Sequence, residues 1–230
     1  RMLQVSQGPP AHGWHLLFVV GNPAHNEFES TPPNEGTVDG DVLRLDRTHD
    51  SYGDLSAKVL DAIRWAVVHW RFDYLFKADD DTYVCTRDVV ELLDERFGAS
   101  TDMGVPRPES ASSRCTYIGE QIHGKRAWLR PGLPWYDPHY PTVFNTTIYP
   151  DFMQGGGYIL SHGAARAVVV DMGKEVGLYS WRREAERMPH QEDVLVAELL
   201  RRGTANASLR LPTGYPTWGV SVCQRLALRV

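Results

Sequence analysis

Three adjacent aspartates, Asp79, Asp80 and Asp81, follow the apolar segment FDYLF, which begins at Phe72. Neighbouring carboxylates repel one another, and a bound divalent cation relieves that repulsion. Carboxylate oxygens are hard ligands that suit Mg²⁺ or Mn²⁺, and these ions keep coordination positions open for phosphate oxygens. The cluster therefore indicates a cation site for a phosphorylated ligand. The alternative interpretation is a solvated turn in which the aspartates cap the helix that follows.

An alternating series of strands and helices places the aspartates at the end of a strand. The strands are predicted from short apolar or alternating runs, and the helices from apolar residues spaced three and four apart. The predicted strands cover 14–21, 41–46 and 74–76, and the predicted helices cover 55–70 and 86–97. This order is typical of an α/β fold with a parallel sheet and helices on its faces. Ligands bind such sheets at the carboxyl ends of the strands, so the aspartates should face a crevice.

The middle of the chain, 101–152, is rich in Pro, Gly, Trp and Tyr and cannot form a regular helix. A loop of that length is usually disordered or functional, and the aromatic residues argue against disorder. Trp135 and Tyr136 could form an apolar platform for a ligand. Aromatic residues in long loops more often pin the loop to the body of the protein, and this alternative stays open.

Two further segments follow the loop. A glycine-rich turn over 155–157 is predicted to lead into a strand that ends at Leu160 and a helix capped by Ser161. The last predicted helix carries Glu192 and Asp193 in its first turn and ends at 201–203. Acids in a first turn are ordinary partners of the helix dipole, so they indicate a site only together with other signals.

Composition excludes several classes of function. The chain has 230 residues, 42% of them hydrophobic, and a net charge of −5. That size suits one substantial globular domain, and the charge provides no basic face for nucleic acid. No apolar run approaches the roughly 20 residues that span a bilayer. Three cysteines allow at most one internal disulfide bond, and acceptor sequons at Asn145 and Asn206 favour the secretory pathway weakly.

The segment GEQIHGKR, which begins at Gly119, nearly matches a phosphate-binding P-loop. Arg126 stands where that motif needs a hydroxyl, and the residues that follow make a poor helix. Metal-assisted hydrolysis is a second alternative, but it usually recruits several dispersed His and acidic ligands, and the nine histidines form no such pattern. Neither alternative fits the residues well.

Four blocks of the sequence resemble, in order and spacing, the β-1,3-galactosyltransferase family of inverting glycosyltransferases, which includes β-1,3-N-acetylglucosaminyltransferases and Fringe-like enzymes. The blocks are DSYGDLSAKVL, FDYLFKADDDTYV, YPDFMQGGGYILS and QEDVLVAELL, within roughly 14–203. The resemblance implies a GT-A fold, an α/β, Rossmann-like domain with a mixed, mostly parallel sheet flanked by helices. It also implies transfer of a hexose, with galactose favoured, from a UDP-sugar donor to a glycan hydroxyl in β-1,3 linkage. UDP-GlcNAc or UDP-GalNAc is the alternative donor.

The resemblance assigns roles to residues of the acidic blocks. Asp81 and Asp79 are expected to hold Mn²⁺, with Mg²⁺ as an alternative, together with the diphosphate of the donor. The expected donor-binding residues are Asp79, Asp80, Asp50 and Lys58, although Lys58 could equally be a solvated helix lysine. Asp193 is expected to be the catalytic base, since a single in-line displacement needs one base on the acceptor hydroxyl.

The expected contacts with acceptor or sugar come from the last helix, the glycine segment and the aromatic loop. These residues are Glu192, Gly155, Gly156, Gly157, Trp135 and Tyr136. Glu192 could instead hold Asp193 in place, and the glycines could be a plain tight turn. The resemblance thus gives each of these segments a place around one donor–acceptor pocket.

The chain departs from the family's pattern in three places. No histidine follows His190, where the family's third metal ligand is typically a later His. The family's first strand and its arginine-containing block should precede Trp14, and only a short segment that begins RMLQVSQ does so. The membrane anchor of a Golgi type II protein is missing from this chain. We therefore expect a single catalytic domain over 1–230, truncated at both ends, from a protein of the Golgi lumen.

Two other classes of function remain open. A non-catalytic carbohydrate-binding relative would hold sugar on its aromatic residues and would not depend on Asp193. A metal-dependent phosphohydrolase would consume UDP-sugar at a rate that acceptor glycans do not increase.

Overall fold

Seven strands form one mixed sheet with helices on both faces. The computed structural model describes residues 2–5, 14–22, 36–97, 115–133, 135–174 and 191–206. The strands are β1 (Met2–Val5), β2 (His15–Asn22), β3 (Gly36–Asp39), β4 (Val42–His49), β5 (Tyr74–Ala78), β6 (Tyr117–Ile122) and β7 (Phe152–Ser161). The helices are α1 (Leu55–His69), α2 (Thr86–Phe97), α3 (Tyr140–Phe144), α4 (His162–Lys174) and α5 (Glu192–Asn206). The order of strands in the sheet is β3-β4-β2-β1-β5-β7-β6.

The mixed α/β class is confirmed, but the prediction of a mostly parallel sheet is wrong. Only β2 and β4 pair in parallel, and the other five pairs are antiparallel. The physical reason is that β1 lies between β2 and β5 and runs opposite to both. Strands β2, β4 and β5 still point in one direction, as the strand and helix alternation predicts. Their carboxyl ends therefore lie at one edge of the sheet, which we call the carboxyl edge.

The glycine segment forms part of a strand and not the predicted turn. Residues 155–157 lie inside β7, and Gly157 is paired with Ala78 of β5. A Cβ atom at Gly157 would come within 3.2 Å of the Phe76 ring, so the glycine leaves room for that ring. Strand β6 also falls within the segment that we expected to be a long loop. The glycine segment is therefore held by backbone pairing, which gives it a defined position beside β5.

The sheet carries a large apolar core on one face and a smaller one on the other. Side chains alternate along β5, so Leu75 belongs to the larger core and Phe76 to the smaller. The larger core includes Ile63 of α1, Val168 of α4 and Leu200 of α5. The smaller core includes Val89 and Leu93 of α2. Both faces of β5 are thus covered, and the chain reaches the surface at Asp80 and Asp81, just after its carboxyl end.

The starts of the last two helices agree with prediction, and the end of α5 does not. The Ser161 hydroxyl accepts a hydrogen bond from Ala164 N at 3.2 Å, which confirms Ser161 as the cap of α4. Helix α5 begins at Glu192 but continues past Gly203 to Asn206. A Cβ atom at Gly203 would lie 2.3 Å from the Ala167 carbonyl oxygen of α4. Gly203 is therefore a point of close helix–helix approach and not a helix terminator.

No helix among the described residues combines the length and apolar character needed to cross a bilayer. Cys85 and Cys115 both carry free thiols, and burial raises the pKa of Cys115 to about 11. Cys223 lies outside the described residues.

We predict that Gly203→Ala destabilises the protein. Glycine to alanine inside a helix ordinarily adds about 1 kcal/mol of stability. Here the new methyl group would overlap backbone of α4, and overpacking costs about 1–3 kcal/mol. Chemical denaturation should therefore give a lower free energy of unfolding. Gly53→Ala is the control, since the nearest atom to its Cβ would be Ser51 Oγ at 3.7 Å. Equal or higher stability of the Gly203 variant would contradict the close approach.

Candidate active site

Two acidic segments lie at the carboxyl edge of the sheet. Asp50 directly follows β4, and Asp79 directly follows β5. Residues 79–82, which we call the aspartate turn, are attached to β7 at Gly156. The Gly156 carbonyl accepts hydrogen bonds from Asp79 N at 3.2 Å and from Thr82 Oγ1 at 2.8 Å. Glycine-segment backbone therefore fixes the position of the turn.

The three aspartates differ in exposure. Asp79 is partly buried, whereas Asp80 and Asp81 are exposed. No three His, Cys, Asp or Glu side chains of the described residues come together as a complete metal site. Mg²⁺-type ions are commonly bound by one or two carboxylates plus the phosphates of a substrate. Asp79 and Asp81 supply that kind of donor set, so the residues fit a cation that arrives with a phosphorylated ligand.

Lys77 connects the aspartate turn to the start of α5, and sequence reasoning missed it. Its side chain is 1% exposed. The ammonium donates hydrogen bonds to Asp79 Oδ1 at 2.8 Å, to Glu192 Oε1 at 2.5 Å and to the Gly155 carbonyl. The sequence did contain a signal for its burial. Side chains alternate along a strand, so Lys77 lies on the same face of β5 as Leu75, which belongs to the larger core. One ammonium thus joins three elements of the site.

Glu192 lies inside the protein at the first position of α5. It is 4% exposed, and its second oxygen accepts a hydrogen bond from Tyr158 OH at 3.0 Å. Burial raises the pKa of Glu192, and the Lys77 ammonium opposes that shift. Burial also raises the pKa of Tyr158 well above its usual value. With both oxygens bonded to buried groups, the geometry favours the second predicted role of Glu192, which is to hold Asp193 in place.

Asp193 is oriented by two backbone groups. Its Oδ2 accepts a hydrogen bond from Gly155 N at 3.0 Å, and its Oδ1 accepts one from Val194 N at 2.8 Å. Burial raises the pKa of Asp193, while these N–H groups oppose the shift. A raised pKa strengthens a carboxylate as a base, because an efficient general base has a pKa near the working pH. The arrangement therefore suits proton abstraction.

The glycines of β7 do not share one environment. A Cβ atom at Gly155 would lie 2.9 Å from Glu192 Oε1 and 3.3 Å from Asp193 Oδ2. A Cβ atom at Gly156 would have no neighbour closer than Thr82 Oγ1 at 3.9 Å. The chain's own carboxylates thus occupy the space beside Gly155, and the space beside Gly156 is open to a ligand.

Asp50 and Lys58 form an ion pair at the end of β4. The Lys58 ammonium donates to Asp50 Oδ1, and Lys58 is 7% exposed. The alternative of a solvated helix lysine is therefore wrong. The hydrogen bond from Lys58 lowers the pKa of Asp50, and the Gly21 backbone N–H contributes in the same direction. The pair lies at the carboxyl edge, which is where a donor-binding role requires it.

The aromatic loop adjoins the start of α5. Trp135 is 45% exposed, and its ring lies 5.4 Å from that of Trp128 between centroids. The Gln191 side-chain amide donates to the Trp135 carbonyl at 3.4 Å and to Tyr149 OH at 3.1 Å. Tyr136 is partly buried. Gln191 directly precedes Glu192, so the loop is attached to the body beside the start of α5.

The two sequons differ in how far they are described. Asn145 is exposed just after α3 and adopts a left-handed backbone conformation, with φ of 52°. Asn206 ends α5, and its side chain lies outside the described part of the structure. Glycosylation of both stays a prediction.

We predict that Gly155→Ala disturbs the site and Gly156→Ala does not. A methyl group at 155 must displace Glu192 from Lys77, since its Cβ would lie 2.9 Å from the carboxylate oxygen. The free energy of unfolding should fall by about 1–3 kcal/mol in Gly155→Ala. It should change by less than about 0.5 kcal/mol in Gly156→Ala. Matching denaturation curves for the two variants would show that the carboxylates do not fill this space.

The chain is similar to known glycosyltransferases over most of its length. A family model described as galactosyltransferase matches residues 5–201. Beta-1,3-galactosyltransferase 4 of Rattus norvegicus is 27% identical over 201 residues, which cover 81% of this chain and 50% of the relative. UDP-GlcNAc:betaGal beta-1,3-N-acetylglucosaminyltransferase 7 of Rattus norvegicus is 24% identical over 166 residues, 70% of this chain and 38% of the relative. UDP-GalNAc:beta-1,3-N-acetylgalactosaminyltransferase 2 of Mus musculus is 26% identical over 171 residues, which cover 71% of this chain and 30% of the relative.

The chain spans half or less of the length of these relatives. Because the family match runs from the end of β1 into α5 and includes both the aspartate turn and Asp193, this chain belongs to the galactosyltransferase family.

Proposed function

We propose that the protein is an inverting glycosyltransferase that transfers a hexose, with galactose favoured, from a UDP-sugar to a glycan hydroxyl in β-1,3 linkage. The observation that carries the proposal is that the Lys77 ammonium contacts both Asp79 and Glu192. Glu192 directly precedes Asp193 in the sequence. These contacts bring the aspartate turn and a candidate base into one site. Relatives named for galactose, N-acetylglucosamine and N-acetylgalactosamine transfer support the reaction class. UDP-GlcNAc and UDP-GalNAc are the alternative donors.

In this reaction Asp193 accepts the proton of the acceptor hydroxyl while the hydroxyl oxygen forms a bond to C1 of the sugar. The bond between C1 and the diphosphate oxygen breaks, its electron pair leaves with UDP, and the configuration at C1 inverts from α to β. Asp79 and Asp81 would hold Mn²⁺, or Mg²⁺ in its place, and the cation supplies positive charge for the departing diphosphate. The Gly155 N–H keeps the base oriented during the transfer.

The other residues of the carboxyl edge complete the proposed site. Asp80 and the Asp50–Lys58 pair contact the nucleotide side of the donor, and the open space at Gly156 receives the sugar. Trp135, exposed beside α5, offers a ring face to the acceptor. The fold is of the GT-A type, and the protein acts in the Golgi lumen, in keeping with the enzymes that the sequence resembles.

A non-catalytic carbohydrate-binding role is the second candidate. The exposed ring of Trp135, which lies beside the partly buried ring of Trp128, favours it, because an exposed aromatic ring can hold a sugar without any chemistry.

A panel of UDP-Gal, UDP-GlcNAc, UDP-GalNAc and UDP-Glc, tested against a glycan array, measures the proposed reaction directly. We expect one donor to give transfer with Mn²⁺ present and none with EDTA. UDP binding by calorimetry should require the same cation. If no donor binds with Mn²⁺ present, the proposed function is wrong. Consumption of donor that acceptor glycans do not accelerate would indicate a phosphohydrolase instead.

We predict that Asp193→Asn lowers kcat by about 10²–10⁴-fold, because the amide cannot accept the proton. UDP binding should stay within about threefold of the parent protein, since Asp193 acts on the acceptor. The pKa of Asp193 is raised. As the pH is lowered, kcat/KM of the parent protein should therefore begin to fall at a pH above the ordinary pKa of an aspartate.

Asp88→Asn is the matched control for this variant, because Asp88 is likewise an acid in the first turn of a helix, α2. It should leave kcat unchanged. A carbohydrate-binding protein would show equal glycan affinity in both variants and no turnover in the parent.

A further inference from the structure

Lys77 uses all of its hydrogen-bonding capacity inside the site. A lysine ammonium has three donors, and the three acceptors here are Asp79 Oδ1, Glu192 Oε1 and the Gly155 carbonyl. The acceptors belong to the aspartate turn, α5 and β7. Displacement of any one of these elements therefore breaks a charge-assisted hydrogen bond.

The two carboxylates that share this ammonium are not equivalent. The Glu192 side chain is 5% exposed, whereas that of Asp79 is 24% exposed. A buried ammonium requires a compensating charge, and Glu192 supplies it from the interior. Asp79 is consequently not the sole counter-charge of Lys77.

We propose that Lys77 and Glu192 are a positioning pair that sets both the affinity for the cation and the position of the base, Asp193. This proposal rests on the proposed function. Glu192 offsets the charge of Lys77, so that the Asp79 carboxylate, although it accepts a hydrogen bond from Lys77, keeps negative charge to attract a divalent cation. Lys77 in turn holds Glu192 and Gly155, the two groups between which Asp193 is attached. Neither side chain contacts the reacting atoms.

Opposite effects on binding and turnover follow from this pairing. In Glu192→Gln the ammonium keeps its full positive charge beside the cation site, so Mn²⁺-dependent UDP affinity should fall about tenfold. In Lys77→Met that positive charge is gone, so UDP affinity should be equal to or higher than in the parent protein. The kcat value of Lys77→Met should nevertheless fall by at least about 30-fold, because Asp193 loses its support.

The experiment measures Mn²⁺-dependent UDP binding by calorimetry and kcat with the active donor for both variants. Lys77→Arg should restore at least part of kcat, because it returns a cation to the site. Tyr158→Phe is the control, since it removes one hydrogen bond from an uncharged donor to Glu192 and alters no charge. It should change UDP affinity by less than about twofold.

Equal loss of UDP affinity and kcat in both variants would overturn the proposal, because a merely structural residue lowers both. If Lys77→Met does not fold, the double variant Lys77→Met/Glu192→Gln, which removes both charges, should regain the UDP affinity lost in Glu192→Gln. No recovery would contradict the charge-offset role.

A readout without UDP separates this proposal from the proposed function. Thermal melting in EDTA of Asp79→Asn, Glu192→Gln and their double variant tests whether the two carboxylates share one ammonium. The double variant should not show the sum of the single shifts, since residues of one network are not additive. Additive shifts would overturn the shared contact, whereas absence of UDP binding by the parent protein would overturn only the proposed function.

Discussion

One buried ammonium links the fold to the site. Burying a charge is costly unless it is paired and hydrogen-bonded, and Lys77 meets that condition only when β5, β7 and α5 are all in place. Its partner Glu192 is 115 residues away in the sequence. The contact can therefore form only once the sheet and the last helix have come together. Docking of α5 against the sheet and assembly of the site are for this reason the same event.

Sequence analysis identified candidate residues in separate segments but not the contacts that connect them. Asp79 and Asp193 could be predicted because a run of acids after a buried strand, and acids in a matching family block, are local features. Lys77 could not, because a lysine at the end of an apolar run is ordinarily a solvated strand end. Alternation along β5 puts this lysine on the face of Leu75, but its contacts with Gly155 and Glu192 depend on the pairing of β5 with β7 and on the position of α5. Lys58 was ambiguous for the same reason, and its burial against Asp50 depends on the contact between α1 and β4.

The glycines show where local rules fail. Gly155, Gly157 and Gly203 were each expected to mark a turn or a helix end. Each instead leaves room for an atom from a distant segment: a carboxylate of α5, the Phe76 ring and the backbone of α4. Similarly, the alternation of strands and helices predicted the direction of β2, β4 and β5 correctly. It could not predict that β1, a strand of four residues, lies between two of them.

That inserted strand sets a lateral distance at the carboxyl edge. The segments after β4 and after β5 are separated by the widths of β2 and β1, which amounts to three inter-strand spacings, or roughly 14 Å. A compact ligand such as inorganic phosphate can contact the Asp50–Lys58 pair or the aspartate turn, but not both. An elongated molecule whose charged group lies far from its other end can contact both segments. The distance between the two segments therefore favours ligands that are long enough to contact both of them.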